Sequence, residues 1–507
     1  MVNVCNVPSR TIFTGDNLDI LRGINSECVD LIYLDPPFKS DQTYAAPLDS
    51  EARGAEFRDV WTLDDMKEEW IDEIEIRRPA LFHLINGAKL SNGESMAGYL
   101  TFMSVRLLEL HRVLKDTGSI YLHCDDTAVH YLKGVMDALF GTENYRNNIV
   151  WKRATSHNDP NRFGRILDHL LFYSKGSRPV WNADAIATPR DGDELLRAYP
   201  SQDERGRYRS DNLTGPRHNA GRGSPSTMPW RDYDVFAMNR VWFVPKTGKY
   251  ARYIENAFIP GYRDIQGIHE RLDALDEAGL IYHPQSGRWP GLKRYADADT
   301  GNPAQNLFLE PMGFTNFSTR NVEYTGWRTQ KPVALLERII AASSNPGDLV
   351  LDPFCGCATA CIASEKLGRE WIGIDIAPQA AEVLTQRAKR ELQIPLNDDD
   401  GNGWEDWTPL IRTEEPKRTE NLMLQSPTDP QSDKQLLYAS QQGRCIGCEY
   451  ELPLHVLTID HITPRSRGGL DAIGNLQLMC HTCNAIKGNR SMEYLRTQLQ
   501  ARGILKT

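Results

Sequence analysis

Four consecutive residues, Asp35-Pro36-Pro37-Phe38, carry the chemistry most narrowly defined by residue type and spacing in this 507-residue chain. They follow Asp30-Leu-Ile-Tyr-Leu34, whose apolar run reads as a buried strand. In open α/β sheets, ligands sit just past strand C-termini. Each proline removes a backbone donor and leaves its carbonyl free to accept. A carboxylate and a proline carbonyl can together hold both hydrogens of an exocyclic NH₂, while a neighbouring aromatic stacks on the ring that carries it. The lone pair of such a nitrogen is delocalised and attacks poorly. Two acceptors pull the nitrogen toward a tetrahedral shape and aim its lone pair, a positional and electrostatic gain. These residues point to group transfer onto a planar amino nitrogen.

A second constellation lies near residue 350. Asp348-Leu-Val-Leu-Asp352 reads as a strand running into Pro353-Phe-Cys-Gly-Cys-Ala-Thr359 and a helix to about Leu367. A second strand, Trp371 to Ile374, ends at Asp375. The acid stands 23 positions after Asp352, near the ~20-residue offset of a ribose-binding carboxylate. Gly356 lets the backbone approach a ligand closely. Taken alone, the segment is equally a structural strand-turn-helix of any α/β protein. Cys355, Cys357 and Cys361 are expected there as small buried side chains.

Cys445-x-x-Cys448 and Cys480-x-x-Cys483 offer four thiolates, the ligand set of a closed structural zinc site. A module this small needs such a staple. Between the pairs, Leu457 to Ile462 is a β-type run carrying Asp460-His461. Asn475 and Cys483-Asn484-x-x-Lys487 follow.

The elements that must position these groups alternate strand and helix from Thr11 to about Lys152 and from Pro332 to Leu392. Between them lies an irregular stretch rich in Arg, Gly, Pro and aromatics, interrupted by a helical patch at Ile268 to Ala278. Most of its aromatics are expected in a core. Residues 395–435 turn acidic and Pro-rich and read as a linker; 436–507 form a compact module. Net charge is −10, which for the whole chain argues against a nucleic-acid partner. Regionally the sign reverses: Trp151–Lys331 holds 26 Lys+Arg against 21 Asp+Glu, and Gln441–Thr507 holds 8 against 5. No apolar run reaches the ~20 residues of a membrane helix, and the first residues lack a signal-peptide pattern. A cytoplasmic protein with no membrane partner is expected.

Together, DPPF at 35–38 and DPFCGCAT at 352–359 resemble motifs IV and I of the adenine-N6/cytosine-N4 DNA methyltransferases, in the order of their beta class. Thr14-Gly-Asp16 is similar to motif III. Gln330-Lys331-Pro332, with the helix to Ala342, resembles motif X. Arg112 to Gly118 with the strand Ser119–His123 looks like the motif VI region, and Asn148–Lys152 like motif VIII. The resemblance covers about residues 11–392. It implies an α/β fold: a permuted, Rossmann-like S-adenosylmethionine-dependent methyltransferase sheet in a domain of residues 1–394, with a target-recognition region at about 155–325. It implies Asp16, Lys331, Asp352, Pro353, Phe354, Gly356, Thr359 and Asp375 around S-adenosylmethionine. Asp35, Pro36, Pro37 and Phe38 would then meet a base flipped out of double-stranded DNA. Two positions depart from the pattern. Ala358 stands where many members have Gly, and Phe38 replaces the commoner Tyr. Asp at position 35 favours adenine N6; cytosine N4 is the alternative, and an RNA or protein methyltransferase the remoter one.

Residues 443–489 resemble the HNH nucleases. That implies a zinc-stapled ββα module in which His461 is the general base, Asp460 and Asn484 hold magnesium, and Asn475 fixes the loop carrying His461. Zinc at Cys445, Cys448, Cys480 and Cys483 would be structural. The alternative is a knob that only docks on DNA. One HNH centre nicks one strand, so cutting both requires a second chain, as in a homodimer, or a second visit. The whole reads as an enzyme of restriction-modification type.

Overall fold

The computed structural model of the protein describes residues 4–40, 42–46, 50–59, 61–62, 68–154, 158–217, 220–284, 289–309, 323–327, 329–392, 407–419, 434–435, 437–438, 440–464, 469, 475–488 and 490–505. Nine strands form the main sheet: β1 (Thr11–Thr14), β2 (Val29–Leu34), β3 (Leu114–Cys124), β4 (Tyr145–Lys152), β5 (Leu167–Ser174), β6 (Leu307–Phe308), β7 (Leu349–Asp352), β8 (Glu370–Asp375) and β9 (Leu410–Arg412). Their spatial order is β6-β4-β5-β3-β2-β7-β8-β1-β9. Neighbours run parallel except at β5, which is antiparallel to β3 and β4.

Successive side chains point to opposite faces of a sheet. In β2, Val29, Ile32 and Leu34 enter one core, and Leu31 and Tyr33 the other. Helices α1 (Asn17–Gly23), α2 (Glu94–Val113) and α3 (Val129–Phe140) fill the first core. Helices α4 (Val333–Ser343), α5 (Thr359–Lys366) and α6 (Gln379–Glu391) fill the second. With both faces covered, inner strands become unbroken apolar runs, which is why β2 and β7 stand out in the sequence.

β2 and β7 are neighbours in space. From β2 the chain moves outward to β3, and from β7 it moves the other way to β8. At such a switch point the connections diverge and leave a crevice beyond the strand C-termini. Asp35 directly follows β2, and Asp352 is the last residue of β7. The topology therefore brings the two constellations together.

Two boundaries differ from expectation. Residues 167–174, placed in the target-recognition stretch, are β5 of the main sheet. Its Leu170-Leu171-Phe172-Tyr173 run is buried on both faces, the mark of an inner strand. The compact insert is Ala183–Ala304. Within it, Ser201–Asp203, Gly206–Asn212, Gly291–Tyr295 and Ile281–Tyr282 form an antiparallel sheet, accompanied by helices Gly248–Ala257 and Ile268–Glu277. Tyr208, Trp230, Trp242, Tyr250, Tyr262 and Tyr295 make its core, as expected for most aromatics of this stretch. The second difference concerns the 395–435 linker. Its middle, Leu410–Arg412, is β9, parallel to β1. Lys417 O accepts from Asn6 Nδ2 at 2.7 Å, and Thr419 N donates to Asn25 Oδ1 at 2.9 Å. A short apolar stretch, Trp407 to Ile411, is hidden in the acidic surroundings and supplies an edge strand. The rest of that segment, 395–406 and 420–433, lies outside the described residues.

In the C-terminal module, strand Leu457–His461 pairs antiparallel with Leu476–Cys480, and helix His481–Lys487 follows. The arrangement is the expected ββα. Leu457, Leu478, Met479, Leu495 and Leu499 fill its small core.

Candidate functional site

A cavity of about 640 Å³ opens at the switch point. Every residue named from the sequence for methyl transfer lines it: Asp16, Asp35, Pro36, Pro37, Phe38, Lys331, Asp352, Pro353, Phe354, Gly356, Thr359 and Asp375. Carboxylates outnumber cations along the wall. Among the described residues, Asp16, Asp35, Glu56, Asp59, Asp352 and Asp375 face Arg106 and Lys331. Burial pushes the Asp352 carboxyl far above the usual carboxylate range, and the nearby Asp35 and Asp375 charges add to the rise. Burial also raises Asp375. Such a wall favours a ligand that brings positive charge.

Asp35 is the centre of the site. Its Oδ2 accepts from Lys331 Nζ at 2.5 Å. Its Oδ1 is buried and has no hydrogen-bond partner among the described residues. A buried carboxylate oxygen without a donor is costly, so this atom is suited to a donor carried by a ligand. Lys331 lines the cavity as expected of a residue near the cofactor and is also paired with Asp35, with its Nζ 5.1 Å from the Phe38 ring centroid. Phe38 in turn stacks on His123, with centroids 5.6 Å apart and planes at 28°.

The cofactor turn is held from several sides. Asp375 Oδ2 accepts from Gly356 N at 2.8 Å, and Oδ1 from Ala377 N at 2.8 Å. Ile376 N is a third backbone donor to this carboxylate, which leaves about one of its four acceptor sites for a ligand. Thr359 Oγ1 donates to Lys331 O at 3.2 Å and accepts from Arg387 Nη1 at 2.8 Å. Gly356 has φ +50, and a Cβ there would meet Trp327 Nε1 at 3.0 Å. Ala358 adopts φ 59 and ψ 35. Alanine thus keeps the left-handed shape that glycine would give the turn, at a cost of about 1–2 kcal/mol. Cys355, Cys357 and Cys361 are buried, and burial pushes all three thiols up. They are packing groups, as expected.

Sequence reasoning missed three supports of the site. Arg106, buried in α2, donates to Asp16 Oδ1 at 2.8 Å and to Asn17 Oδ1 at 2.6 Å, and Asn17 Nδ2 donates to Pro353 O at 2.7 Å. Burial lowers its pKa to about 10 despite the Asp16 charge. Asp59 fixes the chain after Phe38, accepting from Lys39 N at 2.9 Å and Ser40 N at 2.7 Å. Lys39 there has φ 57. Behind Phe38, Tyr33 Oη lies 2.8 Å from His123 Nδ1, and His123 Nε2 lies 3.2 Å from Asp168 Oδ2. His123 and Asp168 are both buried. These contacts span sequence separations that no local motif records.

In the C-terminal module, the Sγ atoms of Cys445, Cys448, Cys480 and Cys483 lie within 4.8 Å of one another. Four thiolates at that spacing can hold a zinc ion. Asp460 Oδ2 accepts from the buried Lys487 Nζ at 3.0 Å and from Gln477 Nε2 at 3.0 Å. Lys487 Nζ also donates to His461 O at 2.7 Å. Asn475 brackets Thr463, accepting from its N at 2.9 Å and donating to its O at 3.1 Å. Asn484 Nδ2 donates to Thr458 Oγ1 at 3.3 Å. Asp460 Oδ1 and the Asn484 carbonyl thus stay outside these bonds. One carboxylate and one amide oxygen fit magnesium, which takes few protein ligands and keeps several waters.

A mostly parallel sheet with an acidic cavity at its switch point, lined by Asp35, Pro36, Pro37 and Phe38, defines an α/β protein with a ligand site where such folds place it. The chain belongs to the DNA methylase family, whose model matches residues 29–386, and the HNH endonuclease model matches residues 445–500. It is 28% identical over 395 residues to the type II methyltransferase M.EcaI of Enterobacter cloacae, covering 75% of this chain and 69% of that one. It is 25% identical to the type III restriction-modification enzyme StyLTI Mod subunit of Salmonella typhimurium, covering 72% of this chain and 51% of that one. The chain therefore spans about half the length of that second relative. Among solved structures, PvuII DNA methyltransferase (cytosine-N4-specific) aligns with TM-score 0.35 and 12% identity, covering 78% of this chain and 88% of that one. No helix among the described residues is long and apolar enough to cross a membrane.

Proposed function

We propose that the protein transfers a methyl group from S-adenosylmethionine to the N6 amino group of adenine in double-stranded DNA, as the modification activity of a restriction-modification system. The observation that carries this reading is the bare, buried Asp35 Oδ1 beside Phe38 in an acidic cavity. S-adenosylmethionine, when bound, supplies an electrophilic methyl group and a net positive charge. Asp375 and the Asp352–Thr359 turn hold the adenosine end, with Asp16 completing that side. Lys331 fixes Asp35 through Oδ2, so Oδ1 is left to accept one amino hydrogen. A proline carbonyl of Pro36-Pro37 accepts the other, and Phe38 stacks on the base. Asp35 Oδ1 is also the first acceptor for the proton that nitrogen sheds. The Ala183–Ala304 unit, with flanking residues, supplies target recognition. Incubating the protein with methyl-labelled cofactor and unmethylated DNA, then separating the nucleosides, tests the assignment. Label in N6-methyladenine is expected; label in N4-methylcytosine would replace the base, and no label in DNA would refute the reading.

Asp375→Ala should weaken cofactor binding by about tenfold or more, the loss of one or two hydrogen bonds to a charged group. An unchanged dissociation constant in calorimetric titration would remove Asp375 from the ribose site.

For the C-terminal module we propose magnesium-dependent nicking of DNA, with His461 as general base and Asp460 and Asn484 as the metal side. Wild-type protein with magnesium should convert supercoiled plasmid to the nicked form. His461→Ala should lose the nick and keep methylation. Plasmid left uncut by a methylating wild-type enzyme would reduce the module to DNA docking.

A further inference from the structure

Phe163 is 98% exposed, more than any other large apolar side chain among the described residues. It sits between β4 and β5, where Arg153 N donates to Ile166 O at 3.0 Å; of the connection between them, residues 154 and 158–165 are described. Ordinary hairpin connections take about two to five residues, and longer ones are commonly functional. The charged side chains described in this loop are each paired with an opposite charge. Asp159 Oδ2 pairs with Arg162 Nε at 2.8 Å, and its Oδ1 accepts from Asn161 N at 3.0 Å. Arg165 Nε lies 3.3 Å from Asp126 Oδ2, just past the C-terminal end of β3. Arg153 Nε lies 2.8 Å from Asp168 Oδ1 at the foot of the loop. The phenyl ring stands almost wholly in water.

The place of the loop is set by register. β5 runs antiparallel to β3 and pairs His169 with Cys124. The chain before β5 therefore lies at the strand edge where the catalytic cavity opens. Asp168 is the carboxylate that contacts His123, on which Phe38 stacks.

Charge singles out the same segment. Residues 151–182 hold six Lys+Arg against two Asp+Glu, whereas the compact unit Ala183–Ala304 holds 17 against 17. The basic excess of the middle of the chain thus belongs mainly to the hairpin and its flanks, and not to the insert. Arginines at a duplex contact phosphates. Apolar side chains presented beside them can enter a base step and hold it open.

We propose that Phe163 is a wedge that enters double-stranded DNA beside the target nucleotide and holds the stack open while the base occupies the Asp35 cavity. The proposal rests on the duplex-DNA reading given above. It is tested with the full-length protein on oligonucleotides carrying its methylated sequence, in two forms: fully paired, and mismatched at the target base. A mismatch lowers the cost of extruding the base. Phe163→Ala should reduce kcat/KM on the paired duplex by about tenfold or more, in line with the cost of unstacking a step. On the mismatched duplex it should match wild type, and Phe163→Trp should restore the paired substrate. The melting temperature should not move, since the ring touches no core. Equal rates for Phe163→Ala and wild type on paired DNA would overturn the wedge. An equal loss on both substrates would overturn it too, because that is the signature of a simple binding contact. A wild-type protein that methylates neither form would instead refute the duplex-DNA reading, and the wedge with it.

Discussion

Asp35→Ala should abolish methyl transfer, lowering the rate by about 10³-fold or more, while the dissociation constant for S-adenosylmethionine changes by no more than a few-fold. The two effects separate because the groups are separate. Asp35 meets the amino nitrogen through Oδ1 and is held by Lys331 at 2.5 Å through Oδ2. The cofactor turn is fixed by Asp375, by Thr359 and by the Arg106–Asn17–Pro353 chain. None of these bonds passes through Asp35. Calorimetric titration and a labelled-methyl assay on one protein preparation read both quantities. Methylation within tenfold of wild type would remove Asp35 from the transfer step. Loss of cofactor binding in parallel would place it in the cofactor site.

Cys445→Ser should release the zinc and unfold the C-terminal module while leaving methylation near wild-type rate. The module has few fully buried apolar residues: Leu457, Leu478, Met479, Leu495 and Leu499 are its main ones. A structural zinc site contributes about 10–16 kcal/mol of apparent binding free energy at neutral pH, which is comparable to the whole stability of a small domain. Cys445 is fully buried, and its Sγ accepts from Cys480 N at 3.2 Å. The thiolate therefore joins the two knuckles even apart from the metal. Limited proteolysis should cut the variant within residues 436–507 and spare the methyltransferase. Elemental analysis of wild type should give one zinc per chain. A zinc-free wild type, or a variant as resistant as wild type, would contradict the assignment.

Most of the catalytic side was legible because its residues are packed into short runs. DPPF and DPFCGCAT, with the strands that lead into them, place strand, turn and side chains within residues 30–38 and 348–359. Inner strands of a covered sheet announce themselves as apolar runs, so β2, β7 and β8 were readable to within a residue or two. What escaped depends on distant contacts. Asp59 supports the Phe38 turn from about twenty residues away, and His123 and Asp168 meet behind Phe38 from two separate strands. Lys331 was placed by analogy at the cofactor, and only the fold shows it on Asp35. β9 was hidden because three strand residues in an acidic, Pro-rich segment leave no periodicity to read. β5 was taken into the insert because the irregular sequence around it masked its apolar centre.

The central claim is that Asp35 directs methylation of adenine in duplex DNA. Nucleotide-resolution sequencing of DNA from cells expressing the wild-type chain, compared with cells expressing Asp35→Ala, tests it most directly. The account predicts N6-methyladenine at one recurrent sequence with wild type and none above background with the variant. An unmodified genome with wild type, or the same marks in both strains, would contradict it.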